Sequence, residues 1–327
     1  MVKRNNQNSN SALNHLEVES LSNTKLIPLL TNNSINYINK DLQLFDSHFY
    51  NTKNLLSSHL DYIRLKFTNL LKTDFTEILD ILGIKPTYLL PNTLWHPSDR
   101  VPKHKHYKNK ILSDTGLIGG YNRKALNSCQ NGLSLYDLMI DIQGSYLANL
   151  SLSQQIRLLR KLNSFYNCKC TRIDLSLDDY TYRLIPVLEM LEATLNGDNF
   201  GFKEIDDKYF EMINGILTGA LAFGSRTSDK YIRIYDHDGI CLRFETEYKG
   251  RYAETIFRIL AELIKSRNSK QSRSNLIKQT IANHALDAVD FRDRSSRQDK
   301  SKASTKDTKR LEWWQDFRDF THQYFEM

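Results

Sequence analysis

Cysteine is scarce: the 327 residues hold only Cys129, Cys168, Cys170 and Cys241. That is too few for a disulfide scaffold. Cys168-Lys169-Cys170 lacks the two-residue spacing usual in a zinc knuckle, and no paired His–Cys set accompanies it. The cysteines read as reduced thiols in a cytosol-like compartment. With 6 prolines and 13 glycines, collagen-like and low-complexity classes are excluded. No apolar run approaches the ~18 residues that a membrane span needs, so no membrane partner is expected. The basic start, Met1-Val2-Lys3-Arg4-Asn5-Asn6-Gln7-Asn8, lacks the apolar core of a secretory signal. A cytoplasmic location is expected, or an organelle stroma or matrix if an organelle plasmid encodes the chain.

Apolar residues at 40% support a packed core, and the length suits two domains or one with extensions. The net charge of +7 is modest, but it is unevenly spread. From Leu263 to Arg310 there are 13 Lys and Arg against 5 Asp, which exceeds the surplus of the whole chain. A concentrated basic arm is the usual footprint of nucleic-acid binding, and a solvated tail is the plainer reading.

Four regions follow. Residues 1–24 are rich in Asn and Ser without periodicity and read as disordered. Residues 25–110 read as a helical N-terminal region and a basic loop. Leu60, Ile63, Leu65, Phe67, Leu70 and Leu71, then Ile78, Leu79, Ile81 and Leu82, suggest helices ending near Gly83. In the loop, Trp95 to Lys108, the histidines His96, His104 and His106 can bind metal or phosphate, or the loop is simply solvated.

Residues 111–266 alternate strands and helices. Leu135–Gly144, Thr171–Asp178, Leu217–Phe223, Lys230–Asp236 and Cys241–Tyr248 read as strands, with Asp238-Gly239 as a hairpin turn. Ser151-Leu152-Ser153-Gln154 opens a helix as a capping box. Leu184–Leu195 is a helix stopped by Asn196-Gly197, and Arg251–Ile264 is a closing helix. The fold class is therefore α+β, a mainly antiparallel sheet with helices packed on one face. Residues 267–327 form the basic arm and a C-terminal amphipathic helix carrying Trp313-Trp314 and Phe317. The arm is expected to supply nonspecific duplex affinity rather than chemistry, and the C-terminal helix to dock on the body or on a partner.

The chemistry gathers on two stretches. In Thr171–Asp179, Ile173, Leu175 and Leu177 take one face of a strand, while Arg172, Asp174, Ser176 and Asp178 take the other. A divalent cation would offset the repulsion of two carboxylates placed this way. An internal Arg–Asp pairing on a solvated face would do so too. In the hairpin, Tyr231, Arg233 and Tyr235 share a face, as do Arg243, Glu245 and Glu247 on the next strand. Charged residues are depleted in ordinary strands, so such a face points to a site. A tyrosine hydroxyl, pKa about 10, attacks a phosphodiester only with help from neighbouring charge. Upstream, Phe223-Gly224-Ser225-Arg226 is a polar turn that can hold a phosphate or be an ordinary loop.

Arg172-Ile173-Asp174-Leu175-Ser176-Leu177-Asp178, Phe223-Gly224-Ser225-Arg226, Arg233-Ile234-Tyr235-Asp236 and Arg243-Phe244-Glu245-Thr246-Glu247 occur in this order. In these segments the chain resembles the Rep_trans family of rolling-circle replication initiators. Gln143-Gly144 fits the family's strand-then-glycine segment. The resemblance covers roughly residues 115–265 and implies a Rep nuclease-like nicking and joining domain. It implies a DNA nickase in which a tyrosine becomes linked to a 5′ phosphate and leaves a 3′ hydroxyl as primer. By position Tyr235 is similar to the nucleophile, with Tyr231 on the same face, and the resemblance implies that Arg233 and Arg243 would lie near the scissile phosphate. Asp174 and Glu245, with Asp178 and Glu247 beside them, resemble the ligands of a divalent metal, Mg²⁺ or Mn²⁺. Arg172, Arg226 and Lys230 would contact DNA. The implied partners are origin DNA, double- and single-stranded, a host helicase and a second copy in a homodimer. The family has Lys two residues after the tyrosine; here His237 stands there. A conjugative relaxase uses the same chemistry. The alternatives are a non-enzymatic origin- or single-strand-binding module, with the tyrosines as stacking platforms, and an α+β domain without activity.

Overall fold

The structure is a computed structural model. It describes residues 55–84, 90–91, 109–112, 118–124, 135–165, 167–200, 205–206, 211–213, 216–218, 220–263, 273–293 and 308–326. The N-terminal 24 residues, the histidines of the basic loop and Cys129 lie outside them, as do the most basic stretches of the arm.

The strands run β1 (Leu56–Leu70), β2 (Leu90–Pro91), β3 (Asn109–Leu112), β4 (Ile118–Lys124), β5 (Tyr136–Gln143), β6 (Cys168–Asp179), β7 (Asn199–Phe200), β8 (Ile205–Asp206), β9 (Glu211–Ile213), β10 (Ile216–Thr218), β11 (Ala220–Phe223), β12 (Lys230–His237), β13 (Cys241–Lys249) and β14 (Asp290–Phe291). Ten form one sheet in the order β2-β3-β4-β5-β1-β6-β13-β12-β11-β8, every pair antiparallel. The helices are α1 (Lys72–Ile81), α2 (Gly144–Ala148), α3 (Leu152–Asn163), α4 (Val187–Leu195), α5 (Gly250–Glu262), α6 (Arg273–Leu286) and α7 (Glu312–Glu326). The mainly antiparallel α+β reading holds.

Local chemistry sets several boundaries where the sequence places them. The Ser151 side chain accepts from the Gln154 N–H at 3.4 Å, and the Gln154 side chain accepts from the Ser151 N–H at 2.8 Å, closing the capping box of α3. Asp238 and Gly239, at φ 55° and 69°, make the tight turn between β12 and β13.

The main correction concerns β1. Residues 56–70 are a 15-residue strand between β5 and β6, not a helix. Leu56, Ser58 and Leu60 are buried at period two, and so are Ile63, Leu65 and Phe67, but the second set is out of phase with the first. The slip is a β-bulge: Leu60 pairs Leu175 and Tyr62 pairs Asp174, leaving Asp61 without a partner in the ladder. The three-residue step from Leu60 to Ile63 imitates helical spacing. The helix expected next is present as α1, which buries Phe75, Ile78 and Leu79.

The second correction concerns the arm. Its middle is α6, which packs on β1, β6 and β13 and buries Ile277, Ile281, Ala282, Ala285 and Leu286. Hydrogen bonds pin it there: Ser58 Oγ to the Lys278 carbonyl at 2.6 Å, Thr246 Oγ1 to the Ala285 carbonyl at 2.8 Å and Tyr248 OH to the His284 carbonyl at 2.5 Å. The helix α7 closes over α6, with Trp314 and Phe317 fully buried and Trp314 packed on Phe291. The tail thus docks on the body, and its Tyr324 hydroxyl accepts from the Leu55 N–H at 2.8 Å. Helices α5 and α6 cover the apolar face of the central strands, and no helix among the described residues is long and apolar enough to cross a membrane.

Because α6 is part of the core, removing residues 264–327 is expected to abolish cooperative unfolding rather than merely weaken DNA binding. Ile281→Ala, at a fully buried position, should cost about 2–5 kcal/mol in urea titration of the full chain.

Candidate active site

The face opposite α5 and α6 is a grid of polar side chains. Register fixes its rows across β1, β6, β13 and β12: Ser57, Asp178, Arg243, Tyr235; then His59, Ser176, Glu245, Arg233; then Tyr62, Asp174, Glu247, Tyr231. Adjacent members of a row lie about 4.5–5.5 Å apart at Cα or Cβ. The two stretches singled out in the sequence therefore meet edge to edge on β6 and β13. The row of Arg64, Arg172 and Lys249 borders them.

The grid has two layers. The carboxylates lie at the bottom, Asp174 and Glu245 at 1% exposure. Arginines and phenols half-cover them. Arg172 donates to Asp174 at 2.5 and 2.9 Å and reaches Glu247 at 2.9 Å, while Lys249 holds the other Glu247 oxygen at 2.6 Å. The Arg172 guanidinium lies over the Tyr62 ring, 4.4 Å from the centroid. Arg243 grips Asp178 with Nε at 2.8 Å and Nη2 at 3.0 Å. Arg233 donates to Glu245 Oε1, and the Tyr235 hydroxyl donates to Glu245 Oε2 at 2.7 Å. The internal Arg–Asp pairing thus exists at Arg172 and Asp174, on a buried rather than a solvated face.

Electrostatics follow from this layering. Burial raises the Tyr235 hydroxyl well above its ordinary pKa, and the neighbouring Glu245 carboxylate adds to the rise. Burial also pushes the Asp174 carboxyl up to about 7; Arg172 opposes this, while Glu245 and Glu247 reinforce it. Burial lowers the pKa of His59, which sits 3.7 Å from Asp178, against the pull of that carboxylate.

The donor set does not fit a divalent cation in this arrangement. Asp174, Asp178, Glu245 and Glu247 each face a guanidinium or ammonium group. Among the described residues no three His, Cys, Asp or Glu side chains converge as metal ligands. The Ser176 hydroxyl, buried at the centre of the grid, has no hydrogen-bond partner among the described residues, but a single neutral hydroxyl does not make a cation site.

Of the residues expected to contact DNA, Arg172 is in the grid. Arg226 is exposed in the turn after β11, its guanidinium 5.7 Å from the Tyr231 ring centroid. Lys249 Nζ donates to the Arg226 carbonyl and so ties that turn to the grid. Lys230 lies on the helical face instead, with Nζ 4.6 Å from the Tyr252 ring centroid, because residue 230 is out of phase with 231, 233 and 235. Sequence reasoning misses His59, Asp61, Tyr62 and Arg64, because the apolar spacing of their strand imitates a helix. Arg64 is held by Asp141 at 2.5 Å and also donates to the Tyr62 hydroxyl at 2.9 Å. The signal that could find them is the regular alternation on each side of Asp61.

The fold is similar to that of a solved rolling-circle replication initiator protein from Geobacillus stearothermophilus. The TM-score is 0.53 at 16% identity, over 82% of this chain and 97% of that one. No family model matches the chain, and no curated protein matches it in sequence.

The raised Asp174 pKa makes stability depend on pH. Between the unfolded value of 3.8 and about 7 the folded protein holds more protons on this group than the unfolded chain does. Its contribution therefore declines as pH rises through that window. Asp174→Asn is expected to flatten the fall, read as a smaller loss of urea midpoint between pH 4 and pH 7 than in the parent.

Proposed function

We propose that this protein initiates rolling-circle DNA replication by nicking one strand of an origin through Tyr235. The observation that carries this is the hydrogen bond from the Tyr235 hydroxyl to Glu245, 2.7 Å long, beside Arg243 in the same cross-strand row. A phenol held protonated by burial needs a proton acceptor at the moment of attack, and Glu245 is in place. The Arg233 guanidinium on the other Glu245 oxygen stabilises that carboxylate. The phenolic oxygen bonds to phosphorus as its proton passes to Glu245, and the bond from phosphorus to the 3′ oxygen breaks. The departing oxygen takes a proton from water and becomes the 3′ hydroxyl primer. Arg243 and Arg233 offer N–H groups to the charge that develops on the phosphoryl oxygens. Reversal of the step, with Glu245 returning the proton, rejoins the strand.

The similar fold of a rolling-circle replication initiator supports this reading. On the same reading the partners are origin DNA and a host helicase that unwinds from the nick, and two copies acting together would serve successive cleavages. In this step guanidinium groups meet the developing charge, and the carboxylates already bind guanidinium and ammonium groups. The expectation of Mg²⁺ or Mn²⁺ is tested directly by assaying cleavage in EDTA and after re-addition of each ion.

The deciding assay incubates the full chain with a supercoiled plasmid carrying its own gene and scores nicked circles with protein attached. Tyr235→Phe should bind that DNA within twofold of the parent yet form no adduct, while Tyr231→Phe should form it. Glu245→Gln should slow adduct formation by about 10²–10⁴-fold. Adduct formation by Tyr235→Phe would remove Tyr235 as nucleophile. Binding without nicking by the parent, with or without either ion, would leave the non-enzymatic module as the function.

A further inference from the structure

The bulge in β1 has a chemical occupant. Asp61, displaced from the ladder between Leu60 and Tyr62, sends Oδ1 to within 3.1 Å of Arg243 Nη1. Asp178 binds Nε and Nη2 of the same guanidinium. Asp61 is separated from Arg243 by 182 positions in the chain, and without the bulge residue 61 would fall in the row of Asp174, two rows from Arg243. His59 stands between the two acids, with Nε2 3.9 Å from Asp61 and Nδ1 3.7 Å from Asp178. A guanidinium has five N–H donors. Among the described residues three of them are engaged, which leaves one on each terminal nitrogen.

A second feature points the same way. Gly144, at the start of α2, lies against the bulge. A Cβ there would come 2.4 Å from the Asp61 carbonyl oxygen and 2.8 Å from its Oδ1. Only glycine lets the α2 turn pass this close without moving Asp61. The Gln143-Gly144 pair thus keeps room for the bulge.

We propose that, given the nicking reading above, Asp61 is a positioning residue of the reaction, completing a three-point clamp that sets the rotation of the Arg243 guanidinium beside Tyr235. Asp178 alone fixes the plane of the fork along one edge. Asp61 fixes the opposite terminal nitrogen, so the two remaining N–H groups have one direction in which to meet a phosphoryl oxygen. Arg243 is only 7% exposed, so solvent does little to orient it.

The test uses the full chain and single-turnover nicking of a supercoiled plasmid carrying its own gene. Asp61→Asn, nearly isosteric, should lower the rate about 10–100-fold, as expected for a misplaced group, with half-saturating DNA unchanged within twofold. In an Arg243→Lys background, which has no fork to orient, Asp61→Asn should add less than a twofold loss. Gly144→Ala should slow the parent similarly although it alters no charge. A parallel readout needs no activity: rotation about the Arg243 Nε–Cζ bond, followed by NMR of the side-chain N–H groups, should speed up in Asp61→Asn. If Asp61→Asn nicks at the parental rate, or its effect multiplies with that of Arg243→Lys, the clamp is wrong. Should the parent itself fail to nick, the nicking reading falls, and unchanged Arg243 rotation in Asp61→Asn would overturn the clamp separately.

Discussion

Four carboxylates buried on one face of the sheet must be neutralised, and the rest of the site is arranged around that need. Asp174, Asp178, Glu245 and Glu247 are at most 7% exposed. Unpaired charges so placed would cost several kcal/mol each. Arg172, Arg233, Arg243 and Lys249 supply the counter-charge from the same or adjacent strands. Antiparallel register makes this possible, since it sets Arg233 opposite Glu245 and Arg243 opposite Asp178. The cations are less buried than these four carboxylates: Arg172 and Arg233 side chains are at 27% and 29% exposure. At Arg172 and Arg233 the outer layer of the grid is therefore guanidinium, whereas at Arg243 the more exposed member is Asp61, at 28% against 8%.

Much of this is legible in the sequence because strands state their faces directly. The period-two pattern of Arg172, Asp174, Ser176 and Asp178 and the Asp238-Gly239 turn assign the faces of β6, β12 and β13. Three of the four columns of the grid follow from that. The neighbours that bind each carboxylate are not legible, because cross-strand register depends on which strands pair and by how many residues they are offset. The same pattern of acids serves a metal in one arrangement and guanidinium groups in another, and only the pairing distinguishes them.

The fourth column is hidden for a different reason. Local patterning reports phase, and a bulge resets phase. On either side of Asp61 the alternation is regular, but reading across it produces a three-residue step that belongs to helices. The basic arm misleads in the opposite sense. Its charge density is real, yet its middle carries Ile277, Ile281, Ala282 and Ala285 at helical spacing, and these complete the core against β1, β6 and β13.

The two misreadings share a cause, since β1 and α6 are the elements that enclose the central strands from the chain's two ends. β6 has Ile173, Leu175 and Leu177 on one face and its acids on the other. It needs α6 above the first and β1 beside it to exclude water from both. The Ser58 hydroxyl on the α6 carbonyl of Lys278 and the Asp61 carboxylate on Arg243 lie three residues apart on β1, on opposite faces. One strand thus joins the packing of the helical layer to the geometry of the polar layer. Register along β1 is then constrained from both sides. A slip of one residue would send Asp61 out of reach of Arg243 and turn Ser58 away from α6. The bulge is the device that satisfies both constraints, because Ser58 and Leu60 must face the helices while Tyr62 and Arg64 must face the acids.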